Sequence, residues 1–260
     1  MTAGSPDVLV EHTDAVLRVT FNSPQTLNAL TRSMLTSAAD AVEAAAADPT
    51  VRVITLTGAG RAFSAGANLL AAEADDATGT TTIDEANRLT QALCAAPKPV
   101  VAAVNGAAVG VGCSFVLAAD LSVARESAYF LQAFARVGLM PDGGATALFP
   151  AAIGRARAMR MAMLGERIPA NAALQWGLIS HVEPDDAFEA SIEQLVSELA
   201  VGPTAAYGYT KRAINGAALA SLPAALDIER EGQSILFDTD DLAEGVAAFR
   251  DKRAPKFAGR

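Results

Sequence analysis

The sequence predicts an α/β fold that ends in a helical portion, and three observations carry that expectation. β-branched runs such as Val51 to Thr57 and Val100 to Val104 close in glycine-bearing segments. Helical patterns with short connections stand between such runs, the mark of a layered α/β core. From Arg155 onward the pattern turns almost wholly helical.

Taken in order, Val8 to Val10 and Ala15 to Phe21 are strand-like and are joined by the polar turn His12-Thr13-Asp14, so they predict an opening hairpin. Thr31 to Ala47 reads as a helix with Thr31 as its N-cap and Asp48-Pro49 as its stop. The strand Val51 to Thr57 follows. The loop from Gly58 to about Leu70 leads into an Ala/Asp/Thr-rich stretch, Ala71 to Thr82, read as a mobile segment. Ile83 to Ala95 is a helix closed by Pro97-Lys98-Pro99, and Val100 to Val104 is a strand apolar on both faces. A helix from about Gly110 to Ala119, a strand from Leu121 to Ala124 and an extended run near Tyr129 to Leu131 come next. Helices are then expected at Ala156 to Leu164, Ala170 to Trp176, Asp186 to Val201, Thr204 to Leu219, Leu222 to Phe237 and Asp240 to Arg250, with Leu178 to Val182 extended.

Composition narrows the function classes. Hydrophobic residues make up 51% of the 260, charged residues 19%, and the formal net charge is -9. Such a field repels polyanions and argues against a general nucleic-acid surface. Any anionic ligand must then be met by local basic residues and backbone N–H groups. Cys94 and Cys113 share no metal-ligand spacing and read as free buried thiols of a reducing compartment. The N-terminus lacks the basic and apolar regions of a signal peptide, so a cytoplasmic location is expected. Val100 to Ala119 runs without a charge for about the length of a membrane span, but Asn105, Gly106, Gly110 and Gly112 interrupt it. It reads as a strand, a turn and a helix.

Two glycine-bearing segments carry the chemistry: Arg61 to Leu69 (RAFSAGANL) and Asn105 to Ser114 (NGAAVGVGCS). In each, small residues follow a strand, which allows close backbone approach to a ligand and leaves N–H groups free at a turn or helix start. Neither matches a dinucleotide fingerprint or a P-loop. The competing reading, tight turns packed under an alanine-rich core, holds for either segment alone and weakens when both occur together.

Beyond these segments, the sequence resembles the crotonase superfamily of enoyl-CoA hydratases and isomerases. The likeness lies in Asn28-Ala29-Leu30, Phe63 to Leu69, Lys98-Pro99-Val100 leading to Asn105-Gly106, Ala119-Asp120, Gly138 to Gly144 (GLMPDGG), Ala173 to Leu178, and Glu244 to Phe249 through Lys256-Phe257. It spans nearly the whole chain in the right order. It implies a crotonase-like spiral of ββα units over residues 1–200, holding a CoA-thioester site, and a helical trimerisation region over 201–260, with trimers or pairs of trimers as the assembly. The substrate would be an acyl-CoA thioester, with coenzyme A as part of the substrate and no separate cofactor, metal, nucleic acid or membrane partner. The resemblance assigns the oxyanion-hole donors to the N–H groups of Ala65 and Val111, and places Ala65, Gly66, Ala67, Asn68 and Gly110 against the substrate. Asn68 stands where the family commonly has Asp.

The pattern breaks at the two glutamates that hold water in hydratases of this family, because those positions fall on Ser114 and Phe134. Both are expected to line the pocket, Ser114 as a possible hydrogen-bonding partner of a water and Phe134 as an apolar wall. The carboxylate left is Asp142, in a loop stiffened by Pro141, Gly143 and Gly144. The stretch from Ala133 to Asp142 resembles the isomerase branch, including the ring-epoxide isomerase of phenylacetate breakdown, so Asp142 is expected to move a proton along the acyl chain. The rival role for Asp142 is capping of its turn or of the next helix. Two further readings stay open: a hydratase with an altered water site, and a non-catalytic acyl-CoA binding protein. His12 and His181 read as surface residues, Trp176 as packing, and Lys211-Arg212 and Lys252-Arg253 as solvated faces.

Overall fold

The computed structural model describes residues 7–69 and 80–260. The segment read as mobile falls mostly outside them; Thr80, Thr81 and Thr82 are helical.

Strands β1 (Val8–Thr13) and β2 (Val16–Phe21) form the opening hairpin, and β3 (Val53–Gly58), β5 (Val100–Val104), β7 (Leu121–Arg125) and β10 (His181–Glu183) extend it into a six-stranded sheet. Apart from that hairpin, the pairings of this sheet are parallel. A second sheet of four short strands runs in the order β4 (Ala62–Ser64), β6 (Ala107–Val109), β8 (Tyr129–Leu131) and β9 (Ile168–Pro169). Successive pairs β3/β4, β5/β6 and β7/β8 each give one strand to either sheet. Each such pair is one turn of a spiral, and the chain has the crotonase-type fold.

Helix α1 (Arg32–Ala47) starts where expected, with the Thr31 hydroxyl accepting from the Met34 N–H at 3.3 Å. Helices α2 (Thr80–Ala95) and α3 (Val111–Ala118) pack with it on one face of the large sheet around Phe21, Phe63, Phe115 and Phe130, all fully buried. On the opposite face α6 (Phe188–Val201) covers Val53, Val101 and Val123 with Phe188, Ile192 and Val196. The remaining helices are α4 (Ala145–Leu164), α5 (Ala170–Trp176), α7 (Thr204–Ala218), α8 (Leu222–Leu236) and α9 (Asp240–Arg250).

The structure departs from the sequence reading in three places. The stretch α4 holds two helical runs that meet at Gly154, whose φ 75°, ψ 157° is not helical; the second is the helix expected from Ala156, and the first, from Ala145, has no counterpart in the sequence reading. The short strands β4 and β6 lie where a loop and a turn are expected, and β9 where the sequence reading expects no element, since two or three residues show no alternation. Lys211 is not solvated: it is buried, paired with Asp120 at 2.9 Å, and donates to the Leu93 carbonyl at 2.6 Å. Among the described residues no helix is long and apolar enough to cross a membrane, and no cluster of His, Cys, Asp and Glu could hold a metal ion.

Candidate active site

The two glycine segments meet because the strands before them pair. Strands β4 and β6 are parallel neighbours with Ser64 opposite Ala108, and both chains leave the sheet in the same direction. Two residues beyond each partner stands a glycine at positive φ, Gly66 at 90° and Gly110 at 55°. A Cβ on Gly66 would lie 3.0 Å from the Val109 carbonyl oxygen and 3.6 Å from the Gly110 Cα, so only glycine lets the backbones touch. One residue further on each side is a backbone N–H with no protein acceptor among the described residues, on Ala67 and on Val111. Val111 is the first residue of α3, where the helix supplies no acceptor and its positive end favours negative charge.

This geometry corrects the assignment of Ala65. Its N–H donates to the Leu27 carbonyl at 2.9 Å and is spent on holding the segment. The isolated bridge between Leu30 and Ala67 engages the Gly66 carbonyl and the Asn68 N–H at 2.8 and 2.9 Å, and turns the Ala67 N–H the other way. The support beneath is unusual backbone: Leu27 and Asn28 both adopt left-handed conformations, and the Asn28 side chain ties Ser23 N–H to the Ala59 and Ala62 carbonyls. Ser64 adds to it, donating to the Asn28 carbonyl and accepting from the Gly66 N–H.

Phe134, in a short 3-10 turn, is buried with its ring edge 3.7 Å from where a Gly110 Cβ would be, so it walls this backbone junction with an apolar face. Ser114 is fully buried, and its hydroxyl donates to the main-chain carbonyl of Asp142 at 2.9 Å. The single hydrogen of Ser114 is thus spent on anchoring the Asp142 loop.

Asp142 is held from three elements at once. Thr90 of α2 donates to the Gly143 carbonyl at 2.9 Å, and Ser114 of α3 holds Asp142 itself. From α8, Glu229 accepts from the Gly144 N–H, the Thr146 N–H and the Thr146 hydroxyl at 2.7, 2.7 and 2.6 Å, and Gln233 donates to the Met140 carbonyl and to Asp142 Oδ2, both at 2.8 Å. Burial pushes the Asp142 carboxyl up to about 7, with the nearby Glu229 carboxylate adding to the rise and the Gln233 hydrogen bond opposing it. Burial also raises Glu229 against its three hydrogen bonds. Sequence reasoning missed Glu229 and Gln233. Their three- and four-residue spacing from Leu226 and Glu229 along α8 put them on its inward face, but nothing local tied that face to Asp142.

Other singled-out residues lie apart from this chemistry. His12 and His181 are exposed on strands rather than in turns. Trp176 stacks under Arg157 and Arg160. Cys94 and Cys113 are free, with burial raising their thiols to about 11 and about 12.

Fold and site together define an enzyme of the crotonase type. The family description enoyl-CoA hydratase/isomerase matches residues 11–260, and the chain belongs to that family. It is 38% identical over 260 residues to the 1,2-epoxyphenylacetyl-CoA isomerase of Escherichia coli, covering 98% of this chain and 99% of that one. It is 41% identical over 251 residues to a probable enoyl-CoA hydratase of Rhodobacter capsulatus, covering 96% and 97%. The crystal structure of an enoyl-CoA hydratase from Mycobacterium avium subsp. paratuberculosis superposes with a TM-score of 0.92 at 47% identity, over 98% of this chain and all of that one.

Proposed function

We propose that this enzyme moves a double bond along the acyl chain of a CoA thioester. Asp142 carries the reading. Among the described residues, with Ser114 tied to backbone, Phe134 apolar and the Glu229 carboxylate taken up by three donors of the loop, it is the carboxylate left for proton transfer, and its raised pKa suits a group that must both take and return a proton near neutral pH. The thioester oxygen sits between the N–H groups of Ala67 and Val111. Asp142 removes a proton from the carbon next to the thioester, the electrons move onto that oxygen as a dienolate, and the two amides hold the charge. The same carboxyl then returns the proton two carbons further along. The oxyanion donors are worth several kcal/mol in such reactions. Backbone from Gly66 to Asn68 meets the CoA portion, and the helices beyond residue 200 assemble the chain into a trimer or a pair of trimers.

The relatives named as hydratases favour a second reading, addition of water across the double bond. Incubation with 3-hexenoyl-CoA and with crotonyl-CoA separates the two. An isobaric conjugated thioester from the first substrate supports isomerisation, a mass gain of one water from the second supports hydration, and binding without product would overturn both.

A further inference from the structure

We propose that Gln233 is a positioning residue that makes Oδ1 of Asp142 the oxygen on which the travelling proton rides. The inference rests on the isomerase reading and deepens it.

The Met140 carbonyl sets the orientation of the Gln233 amide. It can only accept, so the amide of Gln233 must turn its NH₂ end toward it, at 2.8 Å. The same Nε2 lies 2.8 Å from Asp142 Oδ2 and spends its other hydrogen there. Rotating the amide would set Oε1 against the Met140 carbonyl, two acceptors face to face. The orientation is therefore fixed even though it leaves Oε1 buried without a partner. Oδ2 then faces a permanent donor. A proton on Oδ2 would point at an N–H, while a proton on Oδ1 meets no such opposition, and Oδ1 has no protein partner among the described residues. One oxygen is held and the other is free to exchange.

The surrounding charges do not supply this asymmetry. Of the elements that hold the Asp142 loop, α3 presents Ser114 and the neutral Cys113 thiol, and the first half of α4 has no titratable group. On α2, Asp84 pairs with Arg230 of α8 at 2.6 Å on the exposed side. Glu229 is left as the charge that bears on Asp142, and it raises the whole carboxyl. Among the described residues, Gln233 is the hydrogen-bonding side chain that distinguishes the two oxygens.

The test is Gln233→Met, which keeps length and volume and removes both donors. Two readouts are taken: the pH profile of 3-hexenoyl-CoA isomerisation, and the carboxyl C=O infrared band of protein labelled with ¹³C-aspartate, with Asp142→Asn to assign the band. Losing a donor to the carboxylate should move the acidic limb and the infrared midpoint upward together, by about one pH unit, and lower kcat with KM little changed. A lower melting temperature with both midpoints unmoved would mean that Gln233 is only structural, and would overturn the proposal. If Gln233→Met does not fold, Gln233→Glu keeps the shape and adds a like charge. An upward shift at least as large is then expected, and an unmoved midpoint overturns it equally. Should Asp142→Asn retain full isomerase activity, the role of Asp142 as proton carrier fails while isomerisation itself stands, whereas the infrared titration still reports on Gln233 by itself.

Discussion

Ala67 and Val111 occupy the same register position in two parallel chains, each three residues beyond the paired Ser64 and Ala108, and each presents an N–H that no protein acceptor among the described residues claims. The pairing of β4 with β6 thus sets the spacing of the two donors, with the Asn28 and Ser64 side chains holding the backbone beneath one of them. Proline at either position removes the donor. Val111 is the first residue of α3, where proline is tolerated, so Val111→Pro should lower turnover ~10²–10³-fold with the melting temperature little changed. Ala67→Pro should show the same loss of turnover. Ala65→Pro should behave otherwise, because it breaks the bond to Leu27 and costs about 1 kcal/mol of stability. Steady-state kinetics and thermal melts on the three variants decide between donors and supports; normal turnover in Val111→Pro would remove the oxyanion assignment.

The order of elements was legible because β-branched runs such as Val53–Gly58 and caps such as Thr31 act locally. Strands of two or three residues such as Ala62–Ser64 carry no alternation, and they owe their existence to neighbours more than forty residues away. That gap explains the misplaced donor. Without the Ser64–Ala108 register, Ala65 and Ala67 look equivalent. The carboxylate in Gly138 to Gly144 was legible as a chemical group, but its environment comes from α8 and could not be read before the helices were placed.

Asp142→Asn keeps the size of the residue and removes the base. Activity should fall by at least ~10²-fold, with CoA-thioester affinity retained. The stability effect has a definite sign. The folded-state pKa is about 7 against an ordinary 3.8, so the folded protein holds this proton more tightly. The stabilisation is full below about pH 4 and is lost as the pH rises through 7, by a few kcal/mol in all. Chemical denaturation at pH 5 and pH 8 should show a smaller drop in the Asn variant than in the parent, whereas an equal drop would place the titrating group elsewhere.

Glu229 is fully buried and accepts from the Gly144 N–H and from both donors of Thr146. Glu229→Leu would leave these donors without an acceptor, at about 1–3 kcal/mol for each that stays buried, and should lower the melting temperature by many degrees. Glu229→Gln is milder. It removes the like charge beside Asp142, so the acidic limb of the activity profile should move to lower pH, opposite in sign to the Gln233 variants. A limb that stays in place would show that Glu229 acts on the loop alone.

Helix α8 has two working faces, and the second leads to the last prediction. Inward it presents Leu226, Glu229 and Gln233; outward, Ile228 and Ile235 stand more than half exposed, and α7 and α9 add Tyr209, Ile214 and Phe249 in the same condition. Large apolar side chains left exposed on these helices favour burial between subunits. Sedimentation at micromolar concentration should therefore show a trimer or a multiple of it, and a monodisperse monomer would contradict the assembly. Ile228→Glu puts a charge on the outward face without touching the residues that hold the Asp142 loop. It should shift the chain toward monomer, and because α8 also seats Glu229 and Gln233, specific activity should fall as the protein is diluted through the dissociation range. Activity independent of dilution in that variant, with dissociation established by sedimentation, would mean that one subunit keeps α8 in place unaided.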